Sequence, residues 1–301
     1  MAQYKFEILD VFTDQSRAGN QLAVVHGADG LDQETMQSVA REFGFSETVF
    51  LCAAESEAHS AAIRIFTPGN ELPFAGHPTV GAALAVARAQ GMDTVGHGIV
   101  VLEEKVGPVR CGVRFDDSGA YAEFDLPALA ERFVPPGSKE DVALALGLTE
   151  QELGFENHVL SQFDAGLPYT LVPVRDLMVA AKARPVMAHW HKAFGDHSHN
   201  SAFVYCRETV AQDNQFHARM FAPDAGIPED PATGSAVASF AGAVALFDGL
   251  PDGPHTVRVE QGMEMGRPSL ITLELDMKDG AQVGGRIGGH AVTFATGEIS
   301  I

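Results

Sequence analysis

Arg64-Ile65-Phe66-Thr67-Pro68 runs on to Pro73 and then to Gly76-His77-Pro78-Thr79-Val80-Gly81. Arg219-Met220-Phe221-Ala222-Pro223 runs on to Pro228 and then to Gly234-Ser235-Ala236. Arg64 and Arg219, Phe66 and Phe221, Pro68 and Pro223, and Pro73 and Pro228 all stand 155 positions apart. Each copy then enters a glycine-led, Ala/Val-rich stretch that reads as a helix. A repeat half a chain long indicates two related domains rather than a solenoid. Each half thus offers a glycine-led helix N-terminus after a loop. Such termini bind anions through N–H groups that have no intrahelical partner and through the helix dipole.

Working outward, Val80-Gly81-Ala82-Ala83-Leu84-Ala85-Val86 is apolar nearly all round, as is the stretch from Ser235 through Val237, Phe240 and Val244. A helix apolar on every face is buried. Pro78 suits a first helical turn, and Gly91 ends the helix. Asp32 is placed to cap a further helix to Phe43, stopped by Gly44. Strands are expected at 4–12, 22–25, 48–52, 61–66, 99–105, 109–115 and 120–126. In the second half they are expected at 158–162, 169–174, 202–206, 215–221, 257–261, 270–275 and toward Ile301. A short helix is expected from Lys139 to Leu146. The fold class is α+β, with two pseudo-symmetric domains, each a mostly antiparallel sheet wrapped round a central apolar helix and with a cleft between them. The one plausible linker, from Leu126-Pro127 to Pro135-Pro136-Gly137, sets domains at 1–127 and 128–301, with the last strands free to pack on the first domain.

The chain has 301 residues, a formal charge of −20 and a hydrophobic fraction of 46%. That apolar content suffices for two cores. The charge disfavours nucleic acid and anionic membrane, which need basic patches. No run of about 18 apolar residues suggests a membrane span, and 1–11 does not read as a signal peptide. Cys52, Cys111 and Cys206 are few, odd in number and widely spaced. They read as reduced, buried thiols of a cytoplasmic protein.

Glu47 lies between a helix-ending glycine and an apolar strand. A carboxylate there tends toward a raised pKa and suits a general acid/base, although an exposed strand-start glutamate would look the same. His77 can hydrogen-bond a ligand or cap its own helix. Asp230 can hold a substrate hydroxyl or amine, or simply form the turn before Pro231. Gly76, Gly234 and Ser235 can act through backbone N–H groups or only initiate helices. His189-Trp190-His191 and His197-Ser198-His199 look like metal ligands, but their surroundings read as a polar loop, so no metal is expected. Gly284-Gly285-Arg286-Ile287-Gly288-Gly289 lacks a strand–turn–helix setting, so no nucleotide or other cofactor is expected.

Asp10-Val11-Phe12-Thr13 with Ala18-Gly19-Asn20, Ser46-Glu47-Thr48-Val49-Phe50, Gly76-His77-Pro78-Thr79, Glu229-Asp230-Pro231-Ala232-Thr233-Gly234-Ser235, and Gln261-Gly262 with Gly266-Arg267-Pro268 together resemble the PhzF family of phenazine-biosynthesis-like isomerases. The resemblance runs from about Tyr4 to the C-terminus. Gln21 departs from it, where the family usually has proline. The resemblance implies the two-domain fold of diaminopimelate epimerase and proline racemase, a homodimer, and cofactor-independent isomerisation of a small carboxylate such as trans-2,3-dihydro-3-hydroxyanthranilate. It places the acid/base on Glu47, substrate contacts on His77 and Asp230, and the glycine–serine helix start on Gly234 and Ser235. Epimerases of this fold use a cysteine at each helix start. Here those places are Ala75 and Thr233, which cannot remove a carbon-bound proton, and Asn200-Ser201-Ala202, the second-half equivalent of the Glu47 stretch, has no acid. One base favours a proton shift on one face. The alternatives are an amino-acid epimerase or racemase of the same fold and a non-catalytic ligand-binding protein.

Overall fold

The computed structural model describes residues 2–92, 96–126, 128–195 and 200–301. They form two compact units, Met1–Asp125 with Gly288–Ile301, and Leu126–Ile287. The first contains β1 (Gln3–Val11), β2 (Asn20–Val25), α1 (Gln33–Phe43), β3 (Glu47–Cys52), β4 (Ala61–Phe66), β5 (Glu71–Leu72), α2 (Gly76–Ala89), β6 (Gly96–Glu104), β7 (Gly107–Asp116) and β8 (Gly119–Asp125). The second contains β9 (Glu131–Phe133), α3 (Lys139–Ala145), β10 (Ser161–Asp164), β11 (Pro168–Pro173), α4 (Leu177–Lys182), α5 (Met187–Phe194), β12 (Ala202–Cys206), β13 (Phe216–Ala222), β14 (Ile227–Asp230), α6 (Gly234–Phe247), β15 (Gly253–Gln261) and β16 (Ser269–Lys278). The closing strand β17 (Ala281–Ser300) pairs antiparallel with β1 from Val11↔Ala291 to Gln3↔Ser300.

In the first unit α2 packs on β1, β2, β3, β4, β6, β7 and β8. Twelve of its residues, Gly76 through Ala87, are buried, as its all-round apolar sequence demands. Gly81 makes this fit possible, because a Cβ there would stand 2.4 Å from Leu22 Cδ2. On the other side α1 is amphipathic. Asp32 caps it through Thr35 N, Gly44 closes it at φ 68°, and Met36 and Ala40 pack on Phe50 and Phe66. The second unit repeats the plan with α6 packed on β9, β10, β11 and β16. Its outer layer is larger, with α3, α4 and α5 around Trp190, Phe194, Val172 and Val204.

The strands of both units pair mostly antiparallel but, among the described residues, include two parallel pairs each, β2–β3 and β4–β6 in the first, β11–β12 and β13–β15 in the second. These registers define the internal repeat. Ala61 pairs with Leu102, and Phe216 pairs with Val259, so Glu104 and Gln261 occupy the same place. Thr48 pairs with Phe66, and Ala202 with Phe221, so Ser201 stands where Glu47 does. Ile65 faces Leu72, and Met220 faces Asp230. The constant offset of 155 therefore ends before the helix. Glu71 matches Glu229, Pro73 matches Pro231 rather than Pro228, and the spacing becomes 158. The second copy has three extra residues in the turn between its two paired strands.

The polar-loop reading of 189–199 is corrected for its first part. Met187–Phe194 is a helix, and Trp190 is fully buried with its indole N–H donating to the Asn200 carbonyl at 3.1 Å. Burial of one face outweighed the polar composition of the other. His197 and His199 lie outside the described residues. The three cysteines are free, with Cys111 and Cys206 buried and Cys52 half-buried. Among the described residues no helix is long and apolar enough to cross a membrane.

Candidate active site

In the first unit, β3 opens on Glu47 and α2 opens on Gly76 and His77. Glu47 Oε2 lies 3.5 Å from His77 Nδ1, and the Glu47 side chain is 12% exposed. Asn20, the buried first residue of β2, brings its Nδ2 to 3.4 Å from the same ring nitrogen. Burial pushes the His77 pKa down to about 3, against a backbone hydrogen bond with Gln21. The imidazole is therefore neutral at physiological pH. Its Nε2 is buried and has no hydrogen-bond partner among the described residues. A buried polar atom left unpaired costs about 1–3 kcal/mol, which a ligand's polar group can offset.

The helix beneath His77 starts on Ala75, which offers no side-chain cap, and its first turn has no acidic residue. Neither a capping side chain nor a first-turn acid competes for the positive end of the helix dipole there, the arrangement that favours an anion.

In the second unit β14 ends on Asp230, which is buried, and α6 begins on Gly234. Thr233 precedes the helix without capping it, and again no acid sits in the first turn. The Thr233 hydroxyl instead donates to Asp230 Oδ2 at 2.5 Å. Gln261, fully buried at the end of β15, holds this loop at both ends. Its Nε2 donates to the Asp230 carbonyl at 2.7 Å and to Thr233 Oγ1 at 3.1 Å, while its Oε1 accepts from Thr233 N at 3.1 Å. Gly262 follows at φ 77°, and a Cβ on it would meet the Pro231 carbonyl at 2.6 Å. Ser235 Oγ lies 2.8 Å from the Tyr169 hydroxyl.

Under each helix start stands the same brace. Arg64 makes a bidentate pair with Glu71 at 2.7 and 2.8 Å and lies over Phe66. Arg219 makes one with Glu229 at 2.8 Å for both bonds and lies over Phe221. The repeated Arg-x-Phe of the sequence is this brace. Fork-to-fork pairing fixes the geometry of the second strand and of the loop leaving it.

Glu47, His77 and Gly76 are thus gathered in the first unit, and Asp230, Gly234 and Ser235 in the second. Asn20 and Gln261 belong to the sequence motifs, but the sequence alone does not mark them as site residues. Their value rests on side-chain bonds that spacing does not reveal. Among the described residues no group of three or more His, Cys, Asp or Glu side chains could hold a metal ion.

Residues 9–297 match the family model described as phenazine biosynthesis-like protein. An uncharacterized isomerase of Mesorhizobium japonicum is 47% identical over 100% of both chains. The trans-2,3-dihydro-3-hydroxyanthranilate isomerase of Pseudomonas chlororaphis is 30% identical over 98% of this chain and 99% of its own. The crystal structure of the Bacillus anthracis phenazine biosynthesis protein of the PhzF family superposes with a TM-score of 0.89, at 27% identity and 100% coverage of both chains.

Proposed function

The chain belongs to the phenazine biosynthesis-like protein family and is an isomerase, and from that premise we propose that it moves a proton between two carbons of a small carboxylate substrate. Glu47 takes the proton. A C–H bond breaks, its electron pair shifts along the substrate's conjugated system, and the proton returns from Glu47 to another carbon on the same face. Bonds and charge balance, and no electrons leave the substrate. Neutral His77 engages a polar substituent of the substrate through Nε2. Asp230 holds a hydroxyl or amine. The carboxylate is met by helix-start N–H groups, at Gly76 or at Gly234 and Ser235.

The observation that carries this reading is the pairing of Glu47 with a buried, neutral His77 whose Nε2 has no partner among the described residues, on an uncapped helix start. Isomerisation is favoured over stereoinversion because inversion needs a second acid/base on the opposite face. Ala75 and Thr233 hold the helix-start places, and Ser201 holds the place of Glu47 in the second half.

The test uses trans-2,3-dihydro-3-hydroxyanthranilate as the probe, in deuterated water, followed by NMR. The expected result is a double-bond shift with at most one deuteron gained, abolished in Glu47→Gln. Shift retained in full by that variant would remove Glu47 from its role. Calorimetry of anthranilate against its methyl ester tests the anion site, and equal affinities would sink it. Gly76→Val and Gly234→Val identify which helix start takes the carboxylate.

A further inference from the structure

Glu104 ends β6 with its side chain buried, in line with Val100 and Leu102 on the face that α2 covers. Its Oε1 is 2.8 Å from Thr79 Oγ1. The same Thr79 hydroxyl is 2.8 Å from the Ala75 carbonyl, one turn back. Thr79 has one hydroxyl hydrogen and cannot donate to both. Two oxygens at 2.8 Å with no hydrogen between them repel. Both contacts are satisfied only if Thr79 donates to Ala75 and the Glu104 carboxyl donates to Thr79.

Two further observations agree. Glu104 Oε2 is buried with no hydrogen-bond partner among the described residues, which an ionised carboxylate tolerates poorly. The strand registers make Glu104 the counterpart of Gln261, and a protonated glutamate has the shape and the donor of a glutamine.

We propose that Glu104 is a positioning residue that carries a proton in the native protein and, through Thr79, holds the first turn of α2, the turn that presents His77. Among the described residues the elements around it supply no compensating cation. From β7 comes the Cys111 thiol, itself buried and with its pKa raised. Lys105 pairs with Glu71 at 2.6 Å, and Arg110 lies 3.5 Å from Asp125. From α2 comes Thr79, and β4 brings Ala61 beside Leu102. Burial pushes the Glu104 carboxyl up to about 8, with the Thr79 hydrogen bond pulling the other way. The proton held in the folded chain and not in the unfolded one makes stability fall with pH from about 4.5 to about 8 and level off above. A neutral acid also keeps a second negative charge away from a helix start meant for an anion. That last consequence rests on the functional reading above, and the protonation state does not.

The experiment compares the full chain with Glu104→Gln, Glu104→Leu and Thr79→Val. Infrared spectra at pH 6 should show the carbonyl band of a protonated carboxylic acid that disappears in Glu104→Gln and fades from the wild type above pH 8. The melting temperature of Glu104→Gln should gain on the wild type from pH 5 to 8 and keep a constant lead above. The His77 ring resonances should stay in place in Glu104→Gln and move in Thr79→Val. None of these readouts needs turnover, so they stand or fall apart from the proposed reaction. An acid band that Glu104→Gln retains, or a melting-temperature difference that is flat from pH 5 to 8, would overturn the protonated state. Unmoved His77 resonances in both Thr79→Val and Glu104→Leu would overturn the positioning role.

Discussion

The loop into α2 and the loop into α6 stand on the same frame and are finished differently. In both, an arginine on one strand grips a glutamate on the next, a parallel strand ends beneath the loop, and an uncapped helix starts on glycine. In the second unit the buried strand end is Gln261, and its amide ties Asp230 to Thr233. In the first it is Glu104, which reaches one turn into the helix at Thr79. Leu72 stands where Asp230 stands, and His77 where Ser235 stands. The frame fixes backbone, while four or five side chains decide what each helix start can hold. Duplicated backbone thus became two unlike sets of groups, with the acid/base candidate on one side only.

The largest expected asymmetry is catalytic. Glu47→Gln should lower turnover by about 10²–10⁴-fold, the usual worth of a general acid/base, with an unchanged melting curve. Ser201→Ala, at the equivalent place, should leave turnover within a few fold, which kinetics on a converted substrate can read. Comparable losses in both would break the one-base argument.

Next come the braces. Arg219 also donates to the carbonyls of Ala180, Ala181 and Ala183 and is 7% exposed. Arg219→Ala should cost about 3–5 kcal/mol, the range for breaking a buried pair. Arg64 has a side chain 29% exposed, and Arg64→Ala should cost about 1–2 kcal/mol. Urea titrations of both variants test the ranking, and equal losses would refute it.

Gln261→Leu should follow, at about 2–3 kcal/mol, because it strands Thr233 N and the Asp230 carbonyl in the interior. Gln261→Glu should also destabilise, since a carboxylate cannot donate to the Asp230 carbonyl. Glu104→Gln should do the reverse above pH 8, and denaturation of the two reciprocal variants in parallel sharpens the comparison most directly.

The mildest effect is read as a slope. His217 lies between Glu260 and Glu264, each at 3.0 Å, and these hydrogen bonds push its pKa up to about 9 against desolvation. Its folded pKa exceeds the unfolded value near 6.5, so its contribution is complete below pH 6.5 and is lost as pH rises through about 9. His217→Gln should flatten the fall in stability over that window. Ala62 holds the matching place in the first unit, so substituting Ala62→Ser should leave the slope alone.

Much of this was legible beforehand. The apolar runs after Gly76 and Ser235 announced buried helices, and Asp32 with Gly44 bounded α1. Glu47, His77 and Asp230 stood out by neighbouring glycine, proline and strand residues. The Trp190 helix was hidden because His189, His191 and Lys192 interrupt its apolar residues, and Gly195 and Asp196 follow directly, while three residues carry its burial. The shift from 155 to 158 was hidden because prolines recur in turns and carry no register. Glu104 leaves a trace, since alternation puts it in phase with Val100 and Leu102, but Glu103 and Lys105 beside it give that strand end a charged, surface-like composition.

The sequence by itself determined the repeat, the α+β class, the buried helices and the residue types available for acid/base work. These follow from periodicity, turn chemistry and composition, which act over a few neighbouring residues. The tertiary structure alone decided that Glu47 meets His77 across 30 positions, that Gln261 reaches back to Asp230, and that the Glu104 carboxyl and the Ala75 carbonyl both meet the Thr79 hydroxyl. Hydrogen bonds and desolvation depend on ångström distances between distant parts of the chain, and only the packed strands and helices set those distances.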